Sequence, residues 1–229
     1  MRRRVPAGLA AAGLLLGLAL GVRSAQAQVR GIPVYNSGIA TGIALYGDVG
    51  FPNAVAGKGT ALAVSGRAGF GPLGVTAMLS TFNPEGSAGR KLSVGGTLNY
   101  KVFGGPLIPL SVTLQGGIGY FKPEPSFLTG GFGPGGENEF HFPVGVGFAL
   151  TIPNPALAIK PWIAPRVDIV RLSGGGSLTE TNFGLGGGLE LNLLSGLGVH
   201  AAYDRVFLDG ADTSVFGLGA HYSFGIPGL

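Results

Sequence analysis

Arg166 and Asp168 stand two residues apart, so on an extended chain both side chains leave the same face. A guanidinium beside a carboxylate in a confined interior forms a structural ion pair or a gate. Each partner offsets part of the desolvation that the other would suffer alone. Asp48, Arg67, Lys101, Glu190 and Asp204, with His141, His200 and His221, share the polar phase of their own alternating segments. Arg166, Asp168, Glu190, Arg67 and Lys101 are therefore the candidate ion-pair or gate residues. Gly184, Gly186 and Gly188 would face Arg166 from the next segment and leave its guanidinium room to lie across an interior.

These residue types offer little to catalysis or to metals. The three histidines stand on three separate segments without the close spacing of a zinc or iron site. The chain has no cysteine, which excludes a thiol nucleophile, a disulfide framework, a cysteine-ligated metal and a lipid-modified cysteine. The run Gly130 to Gly136 lacks the Lys-Ser/Thr of a phosphate loop. No catalytic residue, metal ligand or cofactor is expected, and the protein is read as non-enzymatic. It also lacks a nucleic-acid footprint: four of the fifteen Lys and Arg lie in the first 27 residues, so the remainder is formally neutral.

That first stretch reads as an export signal. Arg2, Arg3 and Arg4 precede an apolar run from Gly8 to Val22, and Ala25-Gln26-Ala27 supplies a small-x-small cleavage site. Residues 1–27 are expected to be removed, leaving residues 28–229 as one domain.

The mature stretch alternates. From Leu92 to Val102 one face carries Leu92, Val94, Leu98, Tyr100 and Val102, and the other carries Ser93, Thr97, Asn99 and Lys101. Similar faces recur in the runs around Val112 to Tyr120, Phe183 to Leu191 and Phe216 to Phe224. A period of two is that of a strand with one oily and one polar face. The polar faces hold Gly, Ser, Thr and Asn with few charges. That is a poor solvent surface for a soluble sandwich but a suitable lining for a narrow barrel.

The pattern maps to ten strands at 38–50, 59–70, 74–83, 91–103, 109–121, 139–151, 158–171, 180–192, 196–207 and 214–224. Short turns at Gly71-Pro72-Leu73, 104–108, 152–156 and 193–195 alternate with longer links at 51–58, 84–90, 122–138, 172–179 and 208–213. The fold class is all-β: a transmembrane, antiparallel, up-and-down barrel. Short turns and both termini would face the periplasm, with 28–37 as a lead-in there. Phe127, Leu128 and Phe132 of the longest link are candidates for covering the barrel mouth or touching a partner.

Two aromatic girdles then follow. Phe51, Tyr120, Phe140, Phe142, Phe183, Tyr203 and Phe216 fall near the external ends, and Phe70, Tyr100, Phe148, Tyr222 and Phe224 near the periplasmic ends.

With its leader, its paired strands and the ending GLGAHYSF from Gly217 to Phe224, the chain resembles the small bacterial outer-membrane β-barrel proteins. The resemblance implies a bacterial outer-membrane location among lipid and lipopolysaccharide, with the barrel-assembly machinery as a partner during insertion. The residues are read as those of a narrow pore, passing a small solute, or of a structural surface protein, with a Gly-lined and partly plugged lumen. Two departures stand out: residues 225–229 follow Phe224, and many small members have eight strands where ten are counted here. His221-Tyr222-Ser223 is similar to the His-x-Ser of outer-membrane lipid A deacylases, but it faces inward near the periplasmic end, with no carboxylate strand after it. Asp48 and His141 lack the adjacent acidic pair of the outer-membrane proteases. The competing reading is an exported soluble β-barrel or sandwich that binds an apolar ligand.

Overall fold

Alternation of side chains lets each segment bury one face and bond its backbone to two neighbours, and ten such segments close on themselves. The computed structural model describes residues 28–40, 42–85, 90–105, 108–121, 138–154, 157–173 and 177–224. Residues 1–27, where an export signal is expected, the link at 122–137 with Phe127, Leu128 and Phe132, and residues 225–229 lie outside the described residues.

The strands are β1 (Gly42–Pro52), β2 (Gly59–Phe70), β3 (Leu73–Pro84), β4 (Lys91–Gly105), β5 (Ile108–Phe121), β6 (Asn138–Leu150), β7 (Leu157–Ser173), β8 (Ser177–Leu193), β9 (Leu197–Phe207) and β10 (Thr213–Phe224). Each pairs antiparallel with its sequence neighbour. β1 pairs with β10, with Ile43 opposite Phe224, so no free edge remains along that seam. The carboxyl ends of odd-numbered strands gather at one end of the barrel, the loop mouth. The carboxyl ends of even-numbered strands gather at the other, the turn mouth. At the turn mouth β2 and β3 are joined by Gly71 and Pro72, with Gly71 at φ +58°, a left-handed conformation that favours glycine.

The outer surface is apolar. Leu45, Val64, Leu98, Ile118, Val144 and Ile163 are all exposed, Val64 at 62%. All twelve aromatic residues expected at the girdles fall on this outward alternation phase; Phe207 shares it, and Phe103 reaches the outer surface where the register of β4 against β5 shifts after Lys101.

Three features depart from the sequence map. First, residues 28–37 are not a lead-in outside the barrel. Residues 28–40 run along the interior from the loop mouth to the turn mouth, and β1 starts only at Gly42. Gln28 packs against Gly119 near the loop end, and Ala40 against Gly69 at the turn end. The two ends of the described chain therefore lie at opposite mouths, not both at the turn mouth. Residues 29–32 make a turn, with Gly31 at φ +77°, and the remaining eight residues, 33–40, reach up to about 26–29 Å if extended, enough to cross an apolar band of about 25 Å.

The physical cause is the glycine lining. Gly50, Gly69, Gly119, Gly147 and Gly217 face inward where a side chain would collide with this segment. Val29, Ile32, Val34 and Tyr35 are buried, and most of them join Ala61, Ala63, Met78, Phe82, Ala149, Trp162, Ala164 and Ala202 in one apolar cluster inside the barrel.

Second, the expected link at 172–179 is mostly strand: β7 continues to Ser173 and β8 begins at Ser177. Here the inward face turns from polar to apolar. Val170 packs with Val206, and Leu172 and Leu208 close over them. Third, β1 is shorter at its start than expected because residues 38–40 still belong to the interior segment.

Candidate functional site

The interior segment is held at both backbone and side-chain atoms. Near the loop mouth the Arg30 guanidinium donates to Glu139 Oε2 at 3.1 Å and lies over the Phe121 ring at 4.1 Å. Its backbone N–H donates to Ser93 Oγ, and its carbonyl accepts from Ser80 Oγ. Halfway along, the Val34 N–H donates to Asp204 Oδ2 at 2.9 Å, and the Tyr35 carbonyl accepts from Gln115 Nε2 at 2.8 Å. Toward the turn mouth Ser37 Oγ donates to Glu190 Oε2 at 3.0 Å. Unpaired buried backbone groups are costly, so these wall side chains fit an extended chain specifically.

Arg166 and Asp168 meet as expected, and Asp204, from the interior-facing polar set, completes the cluster. Arg166 Nη1 lies 2.6 Å from Asp204 Oδ1, and Nε lies 2.7 Å from Asp168 Oδ2. All three residues are at most 4% exposed. The second contact is an ion contact without hydrogen-bond alignment, so Asp168 is held chiefly by charge. A side chain at Gly184 would strike both Asp168 and the guanidinium, so this glycine gives the cluster its room. Gly186 faces Val34 and Gly188 faces Trp162, so their space serves the segment and the aromatic residue. The guanidinium is therefore drawn to two wall carboxylates, and the interior segment is what crosses the lumen.

The other candidates lie toward the turn mouth. Arg67 stacks 3.8 Å from the centroid of Tyr46 and 5.3 Å from that of Tyr35. Glu190 accepts from Asn192 Nδ2 at 2.9 Å and faces Lys160 Nζ at 4.0 Å. Lys101 sits beside the β2–β3 turn, where its N–H donates to the Pro72 carbonyl, and does not join Arg166.

Two histidines that are distant in sequence meet in the lumen. His200 Nε2 lies 2.6 Å from Asp48 Oδ1, His221 Nε2 lies 2.7 Å from Asn192 Oδ1, and the two Nδ1 atoms are 3.4 Å apart. His141 pairs with Glu139. An Asp–His couple orients a general base when a nucleophile stands on its far side. Here the far side of His200 is another imidazole. Among the described residues no group of three or more His, Cys, Asp or Glu is arranged to hold a metal ion.

Pattern reading missed Arg30, Val34, Tyr35, Ser37 and their partner Gln115, because residues 28–40 have neither a helical nor a strand period. The inward glycines were the available signal. Five of them on five different strands imply a void that something must fill.

No family model matches the chain, and no curated protein matches it. Solved structures do. The β domain of the Bordetella autotransporter BrkA aligns at TM-score 0.50 and 13% identity, over 80% of this chain and 98% of that one. The amino-terminal β-barrel domain of Pseudomonas aeruginosa OprF aligns at 0.39 and 12%, over 81% and 98%, and the outer membrane enzyme PagL at 0.38 and 13%, over 79% and 99%. Small bacterial outer-membrane β-barrels, enzymes and others alike, are thus its structural neighbours. What the chain shares with them is their fold, a closed antiparallel up-and-down barrel, here of ten strands.

Proposed function

We propose that this protein is an integral outer-membrane barrel that works as a narrow, non-enzymatic pore closed by its own amino-terminal segment. The loop mouth faces outward and the turn mouth faces the periplasm. One observation carries this reading: residues 28–40 fill the lumen end to end, yet they are held by side-chain contacts and belong to no strand of the sheet. A segment outside the ladder can leave without opening the barrel. The apolar outer face supports lipid as its surroundings; lipopolysaccharide on the outer side and the assembly machinery during insertion are the partners that the proposal carries with it. The occupied interior disfavours a soluble carrier, because the space for an apolar ligand already holds Ile32, Val34 and Tyr35.

Planar-bilayer conductance of the mature chain and of a variant lacking residues 28–40 tests this. Both would first be shown to be folded by heat-dependent gel mobility. The intact protein is expected to be closed or to flicker, and the truncated barrel to conduct in steady steps. A folded, inserted and silent truncated barrel would retire the pore and leave a structural surface protein.

A further inference from the structure

The lumen wall carries its charges unevenly along its axis. In the half toward the loop mouth, Asp48, Glu139, Asp168 and Asp204 face inward against Arg166. In the half toward the turn mouth, Arg67, Lys101 and Lys160 face Glu190. Lys91 and Glu180, also on the inward phase near the loop mouth, offset each other, so with neutral histidines the wall is about three charges negative at one end and two positive at the other. The seated segment places its one charged side chain, Arg30, in the acidic half against Glu139 and so partly masks the contrast.

Resting on the pore reading above, we infer that the opened lumen is a rectifier: it passes small ions far better when the loop side is positive than when it is negative. With the loop side positive, cations are driven into the acidic half and anions enter the basic half from the turn side. Both halves then hold carriers that match their walls. With the polarity reversed each half is drained of its counter-ion, and the depleted zone limits the current. Fixed charges act this way only over distances comparable to the Debye length. That length is about 10 Å at 0.1 M salt and about 3 Å at 1 M. The effect therefore belongs to low salt. The transported class is small inorganic ions of both signs, with direction set by the wall.

The experiment uses the variant lacking residues 28–40, inserted from one side of a planar bilayer, with its orientation read by protease cleavage of the loop mouth. In 0.1 M KCl the current at equal and opposite voltages is expected to differ by more than about twofold, with the larger current when the loop side is positive, and the ratio falls toward one in 1 M KCl. Lys101→Gln with Lys160→Gln removes the basic half and is expected to abolish most of the asymmetry while conduction persists. If this double variant does not fold, Lys101→Gln alone is expected to reduce the ratio. A folded barrel that conducts symmetrically at 0.1 M, or rectifies with the opposite sign, overturns the rectifier and leaves the pore standing. A folded barrel that does not conduct overturns the pore reading and, with it, this inference.

Discussion

Arg166 is the residue on which the middle of the lumen depends. It compensates Asp168 and Asp204, and Asp204 in turn accepts from the Val34 N–H of the interior segment. Arg166→Met would leave two carboxylates buried without a cation, a loss of about 3–5 kcal/mol. Urea unfolding in detergent, followed by the fluorescence of the single tryptophan, is expected to show a lower midpoint; an unchanged midpoint would mean that water or protonation already compensates the cluster. Trp162 suits the measurement because its ring lies 6.2 Å from that of Tyr35 and so also reports whether the segment is seated. At the loop mouth, the hydrogen bond from Arg205, aided by the Leu208 N–H, holds the Asp212 carboxyl below the usual aspartate range. The β9–β10 link is therefore fastened above the ordinary aspartate pKa and loosens as pH falls through the lowered value. Amide exchange at Leu208 should quicken in acid, and exchange independent of pH, after correction for intrinsic rates, would contradict this.

The interior segment depends on glycines that the strands place beneath it. A side chain at Gly119 would overlap the Gln28 carbonyl oxygen, and one at Gly50 the Gly31 carbonyl oxygen. Gly119→Val and Gly50→Val are expected to unseat the segment without deleting it, producing conduction and a shifted Trp162 emission while heat-dependent gel mobility stays that of a folded barrel. Retained closure in both variants would show that the segment yields locally. Most strand limits were legible to within a few residues, because a period of two announces which face is buried. The top of the β7–β8 hairpin was not: Val170 and Leu172 turn the inward face apolar there, and the contrast that marks a strand disappears. Arg166 and Asp168 were legible from their spacing alone. Asp204 was visible as an inward acid, but its role as the link between cluster and segment needed the register of β8 against β9. Residues 28–40 were illegible because an irregular chain carries no period.

At the scale of the whole molecule, two apolar zones are separated by one strand thickness. Val29, Ile32 and Phe82 lie inside, and an apolar belt lies outside. A water-soluble protein keeps large apolar patches off its surface, so this exterior requires lipid or its substitute. Removing detergent from the folded protein should drive association, visible by light scattering; a monodisperse sample without detergent would overturn the membrane assignment.

The segment is fastened asymmetrically. At the turn mouth it continues covalently into β1, which is locked between β2 and β10; with the leader removed, as the sequence predicts, Gln28 would be the end at the loop mouth, where among the described residues it packs against Gly119 and donates to the Ile118 carbonyl. Mechanically it is a bolt with a stop at one end. Traction on Gln28 from the loop side draws the segment taut against the sheet and leaves the lumen filled. Traction at residues 38–40 from the turn side meets only non-covalent resistance and slides the segment out, so a pulling partner could unlock this barrel from one side of the membrane only.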